Sequence, residues 1–335
     1  MSGIKFKVLA TTATGFLDEM KKMLPQNCEL IVSESWRDED LLPLIDDVDV
    51  LVSVRATRKV IEKAKKLKMI QALGTGVDEI DVEAAAERGI VVCNAVGLNA
   101  VAVAEHAMSL MLALAKNVVK HDRALRGRGW NTQRIPSILL RGKTLGIVGL
   151  GSIGIEVCKR AEAFGMKVIA LKRNPSEELK IKLGIDFLGS QADLHRILRQ
   201  SDFVVLSVVL TSETRKMIGE KELRMMKRTA HLVNISRGEV IDEEALAKIL
   251  EERVIAGAGL DVFEVEQINP DNPLLKLENV VLTPHVAGGG GIEELKNERV
   301  GFIVGNIEKV ISGQKPEKIV DPTLKYVVKE YWSFL

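Results

Sequence analysis

Aromatic residues are scarce, at 4% of the 335 residues. That weakens any function built on stacking nucleic-acid bases against rings. Net charge is nearly absent too, at +1, so composition offers no argument for a nucleic-acid or lipid surface. Cysteine is rare. Cys28, Cys93 and Cys158 lie in apolar runs without metal-ligand spacing and suit reduced core residues of a cytoplasmic protein with no metal site. No apolar run reaches the ~18 residues of a membrane span. The first apolar run carries Lys5 and Lys7, which fits a strand and not a signal peptide. Repeats and low-complexity segments are missing as well.

What is present is an ordinary globular composition, 46% hydrophobic and 28% charged. A chain of 335 residues exceeds the size at which one core stops growing, so two domains are expected. The most informative stretch is 142–173. A short apolar run at 144–148 predicts a buried strand. Gly149, Gly151 and Gly154 follow with G-x-G-x-x-G spacing, a helical pattern covers 153–164, and a second apolar strand covers 167–171. Such a strand–turn–helix–strand unit reads as a dinucleotide site, with a merely structural glycine turn as the alternative. The first glycine permits the tight turn, the second lets the pyrophosphate approach the backbone, and the third lets helix and strand pack closely. The helix N-terminus then offers free N–H groups and positive dipole to the phosphates.

Residues 6–95 alternate strands (6–11, 29–33, 50–54, 69–73, 90–94) with helices (16–24, 38–45, 58–64, 81–88), which predicts a parallel sheet covered by helices. This half has no phosphate fingerprint. Residues 99–120 read as one long helix, apolar nearly all round and therefore buried, bridging domains or subunits. His106 within it suits a satisfied buried histidine. After Arg173 come a polar segment (174–183), strands at 185–188, 203–208, 231–234, 256–261 and 280–283, and helices at 192–200, 220–226 and 242–251, read as the six-strand pattern of a doubly wound fold. A glycine run (288–291), a long helix to 311 and a tail with Tyr326, Tyr331 and Trp332 complete the chain.

Three segments stand at the carboxyl ends of strands in the second half, where open α/β sheets bind ligands. They supply Arg237, Glu266 and His285. Taken alone, Arg237 also suits a turn before a helix, Glu266 a surface charge and His285 a structural loop histidine. Together, downstream of a cofactor fingerprint, they match the reduction of a 2-oxo acid. A guanidinium fixes the carboxylate and polarises the carbonyl. An imidazolium gives a proton to the developing alkoxide, and a neighbouring carboxylate favours that charged form and holds the ring.

The chain resembles the D-isomer-specific 2-hydroxyacid dehydrogenase family. The resemblance rests on VRAT at 54–57, GTGVDEID at 74–81, Asn99 followed by VAE at 103–105, the glycine unit at 149–154, NISRGEVID at 234–242, LDVF at 260–263 with Glu266, and Pro284-His285. It implies Arg237 as the substrate-binding catalytic arginine, Glu266 as the partner of the histidine and His285 as general acid/base. It implies that amides around Thr75, Gly76 and Val77 cradle the substrate carboxylate, with Arg55 and Asn99 also on the substrate side. The cofactor-side candidates are Gly149, Gly151, Ser152, Ile153, Gly154, Lys172, Arg173, Val208, Ile235, Ser236, Gly288 and Asp261, the last implied by the resemblance at the nicotinamide carboxamide. The implied fold is a Rossmann-type doubly wound α/β domain (99–289) inserted into a flavodoxin-like α/β substrate domain (1–98 plus 290–335). A homodimer built on the cofactor domains follows from the same resemblance. Two positions depart from the family pattern. Gln267 stands where a proline usually follows the catalytic glutamate, and Ser207-Val208-Val209 stands where His-x-Pro is common.

An NAD-specific unit ends its second strand on an acidic residue that accepts from the ribose 2′-hydroxyl. Here Lys172 and Arg173 occupy that place. Two cations suit a 2′-phosphate, which points to NADP, with NAD as the alternative. The expected activity is reduction of glyoxylate or hydroxypyruvate. One alternative is D-3-phosphoglycerate dehydrogenase-like activity, which calls for further cations near Arg55, Arg58 or Arg134. The other is a nucleotide-sensing, corepressor-like binding protein. A lysine in the cradle loop would mark phosphite-oxidising relatives, and the sequence GTGV at 74–77 lacks it.

Overall fold

The computed structural model describes residues 6–11, 14–128, 130, 136–288 and 292–320. Arg134, Gly289–Gly291 and the aromatic tail with Tyr326, Tyr331 and Trp332 lie outside them. By its internal contacts the chain divides into two units, Met1–Leu98 with Gly290–Leu335, and Asn99–Gly289.

The first unit alternates β1 (Phe6–Ala10), α1 (Thr14–Met23), β2 (Cys28–Val32), α2 (Asp38–Leu41), β3 (Val50–Val52), α3 (Arg58–Lys63), β4 (Met69–Gln71), α4 (Val82–Glu87) and β5 (Val91–Cys93). All strand pairs are parallel, in the order β2-β1-β3-β4-β5, which is the flavodoxin order. Val50, Leu51, Val52, Met69 and Ile70 are fully buried, as strands covered on both faces require. The expected helix 38–45 is one turn of α-helix and then a separate 3-10 turn, Ile45–Asp47. The helix Glu293–Ile311 belongs to this unit and packs Val300, Ile303, Val304 and Ile307 against Phe16, Met20 and the sheet. Its Asn306 is buried and donates to Gln71 Oε1 at 2.8 Å, so a β4 polar group is satisfied from that helix.

The second unit opens with α5 (Ala100–Ala115) and α6 (Val118–Arg128). The single helix expected over 99–120 is therefore wrong. Asn117 adopts φ 51°, the left-handed geometry that ends a helix, and its side-chain amide donates to the Pro136 carbonyl at 2.9 Å. As expected for its composition, α5 is buried. It packs within this unit. The sheet has seven parallel strands, one for each of the seven stretches read as strands and so one more than the six-strand pattern assigned to them: β6 (Thr144–Val148), β7 (Lys167–Leu171), β8 (Phe187–Gly189), β9 (Phe203–Leu206), β10 (His231–Asn234), β11 (Gly257–Leu260) and β12 (Val280–Leu282). Their order, β12-β11-β10-β9-β6-β7-β8, reverses between β6 and β9, the switch point of a doubly wound sheet. The crossover helices are α7 (Ser152–Ala163), α8 (Glu177–Leu183), α9 (Leu194–Gln200), α10 (Glu220–Leu223) and α11 (Glu243–Glu251). The polar segment 174–183 thus contains a helix. Ser176 caps α8 by accepting from Leu179 N–H at 3.2 Å, and Gly184 ends it at φ 62°. Of the cysteines, Cys93 and Cys158 are buried, with thiols pushed up by desolvation to about 12 and about 11. Cys28 is only half-buried, because it opens the edge strand β2.

Candidate active site

The three glycines after β6 differ in what requires them. Gly149 has φ 105°, and a Cβ there would lie 2.7 Å from the Ser207 carbonyl oxygen. A Cβ at Gly154 would lie 2.4 Å from the Gly149 oxygen. At Gly151 a Cβ would meet nothing within 4 Å, so no packing demands glycine there and the space is open to a ligand. Gly151 is also the N-cap of α7 and brings no side chain to its first turn. The first-turn amides of Ser152, Ile153 and Gly154 precede any intrahelical acceptor, which makes this turn an anion cradle. These residues fit a dinucleotide pyrophosphate.

At the end of β7, Lys172 Nζ reaches back to the Leu150 carbonyl at 3.0 Å, and Arg173 is exposed. The glycine turn therefore carries a cation over its carbonyl side, with a second cation beside it in sequence. Ser207, in place of the common histidine, donates its hydroxyl to the Gly149 carbonyl at 2.8 Å. Val208 lies against Gly149, and Ile235 and Ser236 are buried after β10.

The turn after β10 is built by Asn234, which is 1% exposed. Its Oδ1 accepts from Ser236 N–H (3.1 Å) and Ser236 Oγ (2.8 Å), while its Nδ2 donates to the Arg237 carbonyl (2.8 Å). Arg237 Nη1 donates to the Ser236 carbonyl at 2.8 Å. Gly238 must be glycine because a Cβ would stand 1.9 Å from the Phe263 carbonyl carbon. That contact presses the Arg237 turn onto the loop leading to Glu266. The same loop is tied to α11. Glu243 accepts from Glu264 N–H at 2.9 Å and from Asn272 Nδ2 at 2.7 Å. Gln267 adopts φ 42°, which a proline ring cannot, and this accounts for the missing proline.

Glu266 Oε2 lies 2.6 Å from His285 Nδ1, with the side chains 45% and 44% exposed. The carboxylate takes one ring nitrogen, and Nε2 is the atom left to exchange a proton. His285 itself adopts φ 52°. Asp261, fully buried, holds the turn that carries it. Its carboxylate accepts from Thr283 Oγ1 (2.6 Å), Val286 N–H (3.0 Å) and Ala287 N–H (2.9 Å). His106 Nε2 stands 2.9 Å from Thr283 Oγ1, so His106 is partnered, as expected, though half-buried and not buried. Glu105 pairs with Arg160 of α7 at 3.0 Å on the surface. Asn99 caps α5 without a side-chain cap bond, and its Nδ2 approaches Gly288.

In the first unit, the loop 74–77 is anchored by its carbonyls. Gly74 O accepts from Ala95 N–H (2.8 Å), Thr75 O from Asn94 Nδ2 (2.9 Å) and Val77 O from Ile80 N–H (3.0 Å). Arg55 pairs with Glu79 at 3.2 Å, and its Nε is buried without an acceptor among the described residues. Arg58 is committed to Asp81 (3.3 Å) and Glu87 (2.8 Å).

The sequence model of the D-isomer specific 2-hydroxyacid dehydrogenase NAD binding domain matches residues 108–287. The chain belongs to the D-isomer specific 2-hydroxyacid dehydrogenase family. This dehydrogenase is 43% identical over 303 residues to the D-3-phosphoglycerate dehydrogenase of Methanocaldococcus jannaschii, covering 90% of this chain but only 57% of that protein. It is 42% identical over 299 residues to the glyoxylate reductase of Korarchaeum cryptofilum, covering 85% and 88% of the two chains. The NADPH-dependent glyoxylate/hydroxypyruvate reductase of Sinorhizobium meliloti, solved with NADP and malonate, superposes with a TM-score of 0.83 at 29% identity, over 95% of this chain and 98% of that one. The dehydrogenase is thus an oxidoreductase acting on the CH–OH group of 2-hydroxy acids with a nicotinamide cofactor.

Sequence reasoning missed Glu243 and Thr283. Glu243 was visible only as an acidic first-turn residue, and Thr283 carried no signal beyond its place before Pro284-His285.

Proposed function

We propose that this dehydrogenase works as an NADP(H)-preferring reductase of a small, unphosphorylated 2-oxo acid, glyoxylate or hydroxypyruvate, giving the D-2-hydroxy acid where the product is chiral. The observation that carries the reaction is the 2.6 Å contact between Glu266 Oε2 and His285 Nδ1 on a loop pressed against the Arg237 turn. Arg237 binds the 2-oxo acid through its guanidinium and polarises the carbonyl. His285 holds a proton at Nε2 for the carbonyl oxygen, and Glu266 at Nδ1 fixes the tautomer and compensates the charge on the ring. When bound, the cofactor supplies the hydride to the carbonyl carbon. Arg55, Thr75, Gly76, Val77 and Asn99 are proposed as substrate contacts. Gly149, Gly151, Ser152, Ile153, Gly154, Val208, Ile235, Ser236, Asp261 and Gly288 are proposed as cofactor contacts.

The preference for NADP rests on Lys172 and Arg173. With Lys172 already drawn to the Leu150 carbonyl and no carboxylate at the strand end, a 2′-phosphate meets two cations. The named activity of the Sinorhizobium relative is consistent with this. The phosphoglycerate reading is favoured by the Methanocaldococcus relative. It is disfavoured by the ion pairs of Arg55 and Arg58, which engage the cations that a phosphorylated substrate would need. A homodimer through the second unit is also proposed, supported by exposed Val118, Leu125, Trp130 and Leu139 on and after α6.

Assay of the purified protein with glyoxylate, hydroxypyruvate, pyruvate and 3-phosphohydroxypyruvate tests the substrate. Highest kcat/KM is expected with one of the first two. Turnover confined to the phosphorylated acid overturns the proposal, and no turnover with any of the four favours a binding protein.

A further inference from the structure

Thr283 stands between two groups and has one hydrogen to give. Its Oγ1 is 2.6 Å from Asp261 Oδ1 and 2.9 Å from His106 Nε2. A carboxylate accepts only, and the same carboxylate also accepts from the Val286 and Ala287 amides. The Thr283 hydrogen therefore points to Asp261, and His106 must donate to Thr283 through Nε2–H. The direct distance from His106 Nε2 to Asp261 Oδ1, 3.4 Å, runs alongside this relay. The result is a directed chain of hydrogen bonds, His106 to Thr283 to Asp261, from α5 to the turn after β12.

That turn needs holding. His285 is bulky and not glycine, yet it occupies the left-handed region at φ 52°. Such a conformation persists only where its surroundings over-determine it. Asp261 grips the turn twice. Its backbone oxygen accepts from His285 N–H at 2.8 Å, and its carboxylate accepts from the next two amides. A buried carboxylate rotates to suit its donors, so the donor that orients Thr283 also orients Asp261, and through it His285.

We infer that His106, acting through Thr283 and Asp261, is a positioning residue that holds the His285 turn where Nδ1 meets Glu266. The inference rests on the reading of His285 as the acid/base. His106→Phe removes the donor but keeps a ring, and Thr283→Val removes the hydroxyl but keeps the shape. His106→Gln and Thr283→Ser retain a donor and a hydroxyl respectively.

Each variant is assayed with NADPH and glyoxylate. A displaced acid/base lowers kcat, by about 10-fold to 100-fold for a shift of order 1 Å, and leaves the KM for glyoxylate within about threefold because Arg237 is untouched. That outcome is expected of His106→Phe and Thr283→Val, with His106→Gln and Thr283→Ser recovering most of the loss. The His285 Cε1–H NMR resonance gives an independent readout. It is assigned among the five histidines by its disappearance in His285→Ala. It should move in His106→Phe without substrate and return toward its wild-type position in His106→Gln. If His285→Ala keeps its turnover, the acid/base reading fails, and the resonance still reports whether His106 holds the turn. If His285→Ala is inactive while His106→Phe and Thr283→Val match the wild type in both kcat and resonance, the positioning inference is overturned. Should His106→Phe not fold, the contrast between Thr283→Val and Thr283→Ser decides.

Discussion

Glu266 Oε2 lies 2.6 Å from Nδ1 of His285, and the two residues are joined by side chain alone, 19 positions apart. Both are nearly half exposed, so the pair contributes little to stability, about 1 kcal/mol at most. Under the proposed mechanism its effect belongs to chemistry. Glu266→Gln keeps the shape and replaces the carboxylate by an amide. It is expected to leave the melting temperature nearly unchanged while kcat falls. His285→Ala should fall further, within the range of about 10²–10⁴ that acid/base groups supply. Thermal melts and steady-state rates on the same preparations check this. A large drop in melting temperature for Glu266→Gln would make the pair structural.

Gly151 and Gly154 should respond oppositely to alanine. Gly151→Ala places a methyl in open space at the head of α7, so folding should be unaffected while the dissociation constant for NADPH rises. Gly154→Ala puts Cβ 2.4 Å from the Gly149 oxygen, so the fold itself should lose about 1–3 kcal/mol. Denaturant unfolding of both variants, with NADPH titration by fluorescence, separates the two effects. Equal destabilisation would mean that Gly151 is a packing glycine.

Gly238→Ala tests whether the Arg237 turn and the Glu266 loop act as one piece. A Cβ 1.9 Å from the Phe263 carbonyl carbon forces the two backbones apart. Loss of kcat together with a raised KM for the 2-oxo acid is expected, because both Arg237 and Glu266 move. A change in only one of these constants would show that the two loops are independent.

Legibility from sequence followed how local each cause was. The glycine unit is local in every part, and its strand, turn, helix and second strand stand where the spacing places them. The break at Lys116–Asn117 was hidden because neither glycine nor proline marks it, and the bond that fixes Asn117 comes from Pro136, 19 residues on. Helix α8 was missed because it fully buries no residue and its Leu179, Ile181 and Leu183 alternate with charged neighbours, which blurs the helical period, although Ser176 and Gly184 announced both ends. Arg237, Glu266 and His285 could be singled out from sequence as candidates. The clamps behind them were not, because Glu243 acts on Glu264 from 21 positions away and Thr283 on Asp261 from 22.

Acid sensitivity should trace in part to His231. Burial pushes its pKa down from 6.5 to about 4, with Lys120 adding a smaller push, and its ring stacks on Phe203 at 5.2 Å. The unfolded chain binds this proton below pH 6.5 and the folded chain only below about 4. The stabilisation is therefore complete above pH 6.5 and lost as pH falls towards 4, by up to about 3 kcal/mol. His231→Phe removes the titrating group and keeps the stack. Across pH 7 to 4.5 its unfolding free energy should decline less than that of the wild type. Parallel declines would show that His231 titrates normally in the folded chain.

The central claim, an NADP(H)-preferring reductase acting through Lys172 and Arg173, is tested most directly by one ratio. It is kcat/KM for NADPH over that for NADH, measured with saturating glyoxylate in the wild type and in the Lys172→Ala, Arg173→Ala double variant. A ratio above about ten is expected in the wild type, by order of magnitude for a charge-assisted phosphate contact, and a collapse towards one in the variant. A wild-type ratio at or below one would contradict it.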